Sequence, residues 1–150
     1  MKKISEITRS VEVNAIPDLC YAVICDIPSY PAWFKHVKDF TVKVKDSTGR
    51  PVRVLYTFDL AIKKGIKTIL DYEYYDAERK LVCTTAGGDI VRGLGQYEFR
   101  DLPEGKTLFV FTIKVDFGMR VPDKIVEFLT SRVLDDFMLM VKGECERRMS

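Results

Sequence analysis

The chain has one histidine, His36, and one tryptophan, Trp33. Its four cysteines, Cys20, Cys25, Cys83 and Cys145, form no Cys-x-x-Cys pair. A zinc site needs about four convergent ligands, so this supply argues against a metal centre. The thiols read instead as small buried or half-buried side chains. Neither a metal nor a cofactor is expected. An excess of one charge is also missing. Lys+Arg number 24 and Asp+Glu 22, a net +2, which gives no bulk attraction to nucleic acid. No apolar run reaches the ~20 residues of a membrane span, and Met1 to Glu6 lack the apolar core of a signal peptide. A cytoplasmic protein with no membrane span and no nucleic-acid partner is expected. Linkers, internal repeats and low-complexity runs are absent too. What remains is 150 residues, 47% hydrophobic and 31% charged, the profile of an ordinary globular chain. One domain over residues 1–150 follows. Composition does not set the oligomeric state.

Alternation dominates the middle of the chain. Ile4 to Val13 reads as a first strand, with Ile7, Arg9, Val11 and Val13 on one face. Pro17 opens a short helix to about Asp26, with Leu19, Ala22 and Val23 toward the core. Ile27-Pro28-Ser29-Tyr30-Pro31 stops it, and Ser29 to Phe34 makes another helical turn. Six hairpin strands follow from Val37. Phe40, Val42 and Val44 form one inward row, and Val52 to Ile62 a long strand with Tyr56 and Phe58 inward. Ile66 to Tyr75 carries Tyr72 and Tyr74. Lys80 to Ala86 is of ambiguous phase. Val91 to Phe99 carries Tyr97 and Phe99, and Phe109, Phe111, Ile113, Val115 and Phe117 form the last row. Period two with short polar turns predicts an antiparallel meander.

The stretch from Pro122 to Arg148 is different. Apolar residues recur at spacings of three and four: Val126, Leu129, Val133, Phe137 and Met140, widened by Ile125, Phe128 and Met138. Pro122 suits a first helical position. The spacing predicts one amphipathic helix about 40 Å long at ~1.5 Å per residue. A helix with one apolar face after a sheet with one apolar face predicts an α+β two-layer domain, the helix lying across the sheet.

Order and local text together resemble the START-like, or helix-grip, superfamily, in particular its polyketide cyclase/dehydrase branch, which includes the coenzyme-Q-binding proteins. The residues that carry the likeness are Val11-Glu12-Val13-Asn14-Ala15, the Pro17 helix, Val23-Ile24-Cys25-Asp26-Ile27-Pro28-Ser29-Tyr30-Pro31-Ala32-Trp33, Gly93-x-Gly95-x-Tyr97-x-Phe99 and the closing helix. The resemblance implies a curved antiparallel sheet of about seven strands, in β-α-α-β6-α order, gripping the C-terminal helix around an internal hydrophobic cavity.

The residues point the same way more weakly. Tyr56, Tyr72, Tyr74 and Tyr97 all fall on the inner face. A buried hydroxyl left unpaired costs ~1–3 kcal/mol, so four of them ask for water, a ligand group or a route to the rim. The candidate ligand-binding residues are Trp33, Phe40, Tyr56, Phe58, Tyr72, Tyr74, Tyr97, Phe99, Phe111, Phe128 and Phe137, with Arg9 and His36 as polar anchors. Trp33 with Phe34 either gates the cavity or plugs its open end. Gly93 and Gly95 mark a close approach by another element. No inward Asp or Glu and no serine–histidine pairing stands out, so no catalytic residue is assigned. Three functions fit. The first is binding of a hydrophobic partner such as a lipid, isoprenoid quinone or polyketide-like aromatic. The second is polyketide aromatase/cyclase or dehydratase action through pocket Tyr, His or Arg. The third is a macromolecular interaction module.

Overall fold

The alternating rows become seven antiparallel strands. They are seen in a computed structural model that describes residues 4–61, 63–89, 92–116 and 122–149. The strands are β1 (Ile4–Val13), β2 (Val37–Lys45), β3 (Pro51–Phe58), β4 (Ile66–Tyr75), β5 (Lys80–Gly88), β6 (Arg92–Leu102) and β7 (Lys106–Asp116). Strands β2 to β7 pair in sequence order, and β1 closes against β7, giving the order β1-β7-β6-β5-β4-β3-β2. The inner face pairs Tyr56 with Thr68, Tyr72 with Cys83, and Tyr97 with Phe111. Register shifts interrupt the β2–β3 and β4–β5 pairings, as bulges do, and bulges bend a strand and increase its twist. Gly88 at the end of β5 has φ +103°, and a Cβ there would lie 2.3 Å from the Lys67 carbonyl oxygen. Only glycine fits.

Between β1 and β2 lie α1 (Pro17–Cys25), a 3₁₀ turn and the short α2 (Tyr30–Trp33). Helix α1 buries Cys20, Val23 and Ile24. Ala22, expected toward the core, is exposed. The buried set follows the i, i+3, i+4 spacing that starts at Cys20. Strand β3 is shorter than the sequence row suggested: it ends at Phe58, and a loop closes through Leu60 and Lys63. The expected positions of Ile62, Val91, Phe117 and Val121 lie outside the described residues.

The closing helical path runs from Asp123 to Met149 but is not uniform. Helix α3 (Asp123–Phe128) leads into a π-helical turn (Leu129–Val133) and then α4 (Leu134–Met149). Pro122 is extended, with ψ 148°, and precedes the helix rather than occupying its first turn. The π turn has a local cause. Thr130 Oγ1 donates to the Val126 carbonyl at 2.7 Å, and Ser131 Oγ donates to that of Glu127 at 2.6 Å. Such back-bonding competes with the main-chain ladder. The wider turn also rotates the buried stripe. Instead of continuing Val133–Phe137–Met140, it runs through Leu134, Phe137, Met138, Val141 and Cys145.

The end of α4 is pinned to the α1–α2 region. Glu144, 6% exposed, accepts from both Arg147 and Arg148. These bonds hold its carboxyl down at about 2. Arg148 also donates to Asp26 and to Ser29 Oγ, and Ser29 Oγ in turn accepts from Trp33 Nε1 at 3.0 Å.

Candidate ligand cavity

A cavity of about 180 Å³ lies between the sheet and the helical path. Strands β3, β6 and β7 supply Phe58, Tyr97, Phe111, Ile113 and Val115 to its wall. The helical path supplies Leu129, Thr130, Val133, Leu134 and Phe137, and the segment after α2 supplies Phe34. Inward phase places the strand residues; the π turn places Leu129, Thr130 and Val133. The rings are coupled. Phe137 lies 4.8 Å from Phe34 and 5.3 Å from Phe111, and Tyr97 lies 4.7 Å from Phe111. Aromatic pairs at such spacings gain stability beyond their buried area.

Four of the eleven aromatic candidates read from the sequence are therefore on the wall: Phe58, Tyr97, Phe111 and Phe137. The others are not. Tyr56 and Tyr72 are buried beyond it and share a hydrogen bond of 2.7 Å. Tyr74 donates to the Pro51 carbonyl, and the Arg50 guanidinium lies 4.3 Å over its ring. Phe99 stacks on Phe109 at 4.9 Å toward α1. Phe40 is half-buried opposite Tyr56, and Phe128 half-buried on α3. Trp33 stacks behind Phe34 at 5.9 Å, one layer removed. Phe34, Ile113, Val115, Leu129, Thr130, Val133 and Leu134 were not among the site residues read from the sequence. The signal for Ile113 and Val115 was present, since they share the strand phase of Phe111.

Neither polar anchor stands on this wall. Arg9 does lie on the inner face, opposite Phe111, but β1 is the sheet edge. From there its guanidinium meets Asp135 of α4 at 3.4 Å, away from the cavity. His36 stands edge-on behind Phe34, at 6.0 Å, and does not line the wall. Burial, reinforced by the Lys35 charge, lowers its pKa, so it is neutral at pH 7. Its Nε2 and Thr68 Oγ1 are the two buried side-chain polar atoms with no partner among the described residues. The close approach at Gly95 comes from within the sheet: a Cβ there would meet Cys83 Sγ at 2.8 Å.

The tyrosine hydroxyls are held as neutral donors. Burial pushes Tyr97, Tyr72 and Tyr56 above the ordinary phenol value, and Cys83, which faces the Tyr97 hydroxyl, is pushed up to about 11. The Tyr56–Tyr72 pair gives a stability test. Replacing Tyr72 by Phe strands the Tyr56 hydroxyl and is expected to cost ~1–3 kcal/mol in urea unfolding. Replacing both should recover most of that loss. A double variant that loses the sum of the two singles would show that the hydroxyls act independently. No group of three or more potential metal ligands occurs among the described residues, and none of their helices is long and apolar enough to cross a membrane.

Comparison with known proteins agrees with this geometry. The chain is similar to a START superfamily protein from Mycobacterium smegmatis, at 21% identity and a TM-score of 0.84, covering 95% of this chain and 98% of that one. It is similar to the Zhui aromatase/cyclase from Streptomyces sp. R1128, at 17% identity and a TM-score of 0.84, covering 98% and 96%. It also matches the di-domain ARO/CYC StfQ from the steffimycin biosynthetic pathway, at 11% identity and a TM-score of 0.75, covering 95% of this chain and 45% of that one. At these identities the likeness establishes the START-like fold alone. No curated protein matches the sequence. The family model described as polyketide cyclase / dehydrase and lipid transport matches residues 13–140, and the chain belongs to that family.

Proposed function

We propose that the chain binds a hydrophobic small molecule between sheet and helix and releases it unchanged. The observation that carries this is the wall itself: aromatic and aliphatic side chains from three strands and one helical path converge on a partly open cavity. Burying apolar ligand surface there is worth roughly 25 cal/mol per Å². Catalysis asks for more. Proton transfer near neutrality works best with a group whose pKa lies near 7. The wall's one phenol, Tyr97, is shifted away from that value, and His36 is shielded by Phe34. Tyr97 can still polarise a carbonyl as a donor. A cyclase reading is favoured by the family description and by the likeness to two aromatase/cyclases.

Native mass spectrometry of the purified protein, followed by organic extraction, tests the proposal. A mass excess that extraction removes is expected, together with saturable binding of that extract by the stripped protein. A protein that carries nothing and binds none of a panel of quinones, lipids and aromatics overturns it. Conversion of a poly-β-ketone thioester above background would make the cyclase reading the better one.

A further inference from the structure

The wall restricts what kind of hydrophobe fits. Resting on the binding reading above, we propose that the ligand is compact and neutral: one or two fused rings carrying a single oxygen that meets the Tyr97 hydroxyl. Size comes first. The cavity holds about 180 Å³. Cavities near ~150 Å³ with apolar walls take a benzene-sized guest, whereas drug-sized ligands occupy ~300–1,000 Å³. A long acyl or isoprenoid chain cannot be held wholly within this space. Shape agrees. Phe34, Phe111, Phe137 and Tyr97 approach one another at 4.7–6.0 Å, and such a ring cage suits offset stacking and edge contacts with a flat guest.

Charge comes next. Among the described residues, no Lys, Arg, His, Asp or Glu lines the cavity. The two cations expected or found nearby are engaged outside it: Arg9 with Asp135, and Lys35 with Asp136 at 3.5 Å. A carboxylate brought into this wall loses its water and gains no counter-charge, which is strongly unfavourable. Hydrogen-bonding capacity is just as narrow. Tyr97 and Thr130 are the only hydroxyl-bearing residues among the described residues that line the wall. The Thr130 hydroxyl already donates its hydrogen bond to the Val126 carbonyl. Among the described residues the Tyr97 hydroxyl meets the Cys83 thiol, a weak acceptor that a ligand oxygen displaces readily.

Three probes built on the same fused ring pair test this by calorimetry at neutral pH: 2-naphthol, naphthalene and 2-naphthoate. The first should bind tightest, with naphthalene about three- to tenfold weaker for want of one hydrogen bond. Naphthoate should be weaker than the naphthol on the order of 100-fold. Tyr97→Phe should bring naphthol down to naphthalene and leave naphthalene unchanged. Naphthoate or palmitate binding as tightly as naphthol overturns the neutral, compact ligand. A naphthol-to-naphthalene ratio unmoved in folded Tyr97→Phe overturns the role of Tyr97. The wild-type ranking stands as a test even if that variant fails to fold. If none of the three binds but the purified protein yields an extractable hydrophobe, this inference falls and the binding function stands. If neither occurs, both fall.

Discussion

Ending the chain after Arg120 is expected to abolish the folded state and leave an aggregating or molten product. Among the described residues the helical path is the only layer that covers the aromatic face of the sheet beyond α1 and α2. From α4 alone, Leu134, Phe137, Met138 and Val141 are buried. Burying a large apolar side chain stabilises by ~1.5–3 kcal/mol, so these four contribute about 6–12 kcal/mol. That is comparable to the whole stability of a typical domain, ~5–15 kcal/mol. The truncation would also expose Tyr97, Phe109 and Phe111, all 7% exposed or less, and take Arg148 away from Asp26 and Ser29. Near-ultraviolet circular dichroism and size-exclusion chromatography decide the matter. A soluble truncation that keeps its aromatic dichroism would show that the sheet closes its own core.

The sheet was legible in the sequence because its signal is local. Period two in β3, β4, β6 and β7 needs no knowledge of the neighbouring strand, and short turns such as Asp46-Ser47-Thr48-Gly49 allow only antiparallel pairing. Asp46 shows the turn chemistry directly, accepting from the Thr48 and Arg50 amides at 2.9 and 3.0 Å. The pairing of β1 with β7 is not local, and neither strand period nor turn length signals it. The site was less legible for three physical reasons. Aromatic residues on the inner face divide between cavity wall and solid core, and alternation cannot separate them: Tyr56 and Phe58 are two residues apart on one strand, yet only Phe58 reaches the wall. Phase gives a side chain's face and not its reach, so Arg9 on the inner face still finds Asp135 across the edge. Finally, a π turn shifts every later helical position. Adjacent Thr130 and Ser131 in mid-helix were its sequence signal, because their hydroxyls are the groups that back-bond to the preceding turn.

Replacing Phe137 by alanine is expected to destabilise the protein by about 3–5 kcal/mol, the usual range for deleting a buried ring. Phe137 is 6% exposed and touches rings from three directions: Phe34 at 4.8 Å, Phe111 at 5.3 Å and Tyr97 at 6.0 Å. It lies on α4, so its removal weakens the helix–sheet contact as well as the cavity wall. At ~2–4 °C per kcal/mol for a chain of this size, Tm should fall by about 6–20 °C. Leu139 is the control. It is two residues along the same helix and 62% exposed, so Leu139→Ala should change stability by no more than ~0.5 kcal/mol. The lost ring also leaves a larger apolar space beside the existing cavity. A small aromatic added at the same excess should then raise the Tm of Phe137→Ala more than that of the wild type, because a ligand that binds only the folded state stabilises by RT ln(1 + L/Kd), with L the free ligand concentration, which is larger where it binds more tightly. A loss below ~1 kcal/mol would mean that the helix repacks over the gap. A normal loss with no aromatic rescue would mean that the enlarged space collapses, and that Phe34 moves in to replace the missing ring.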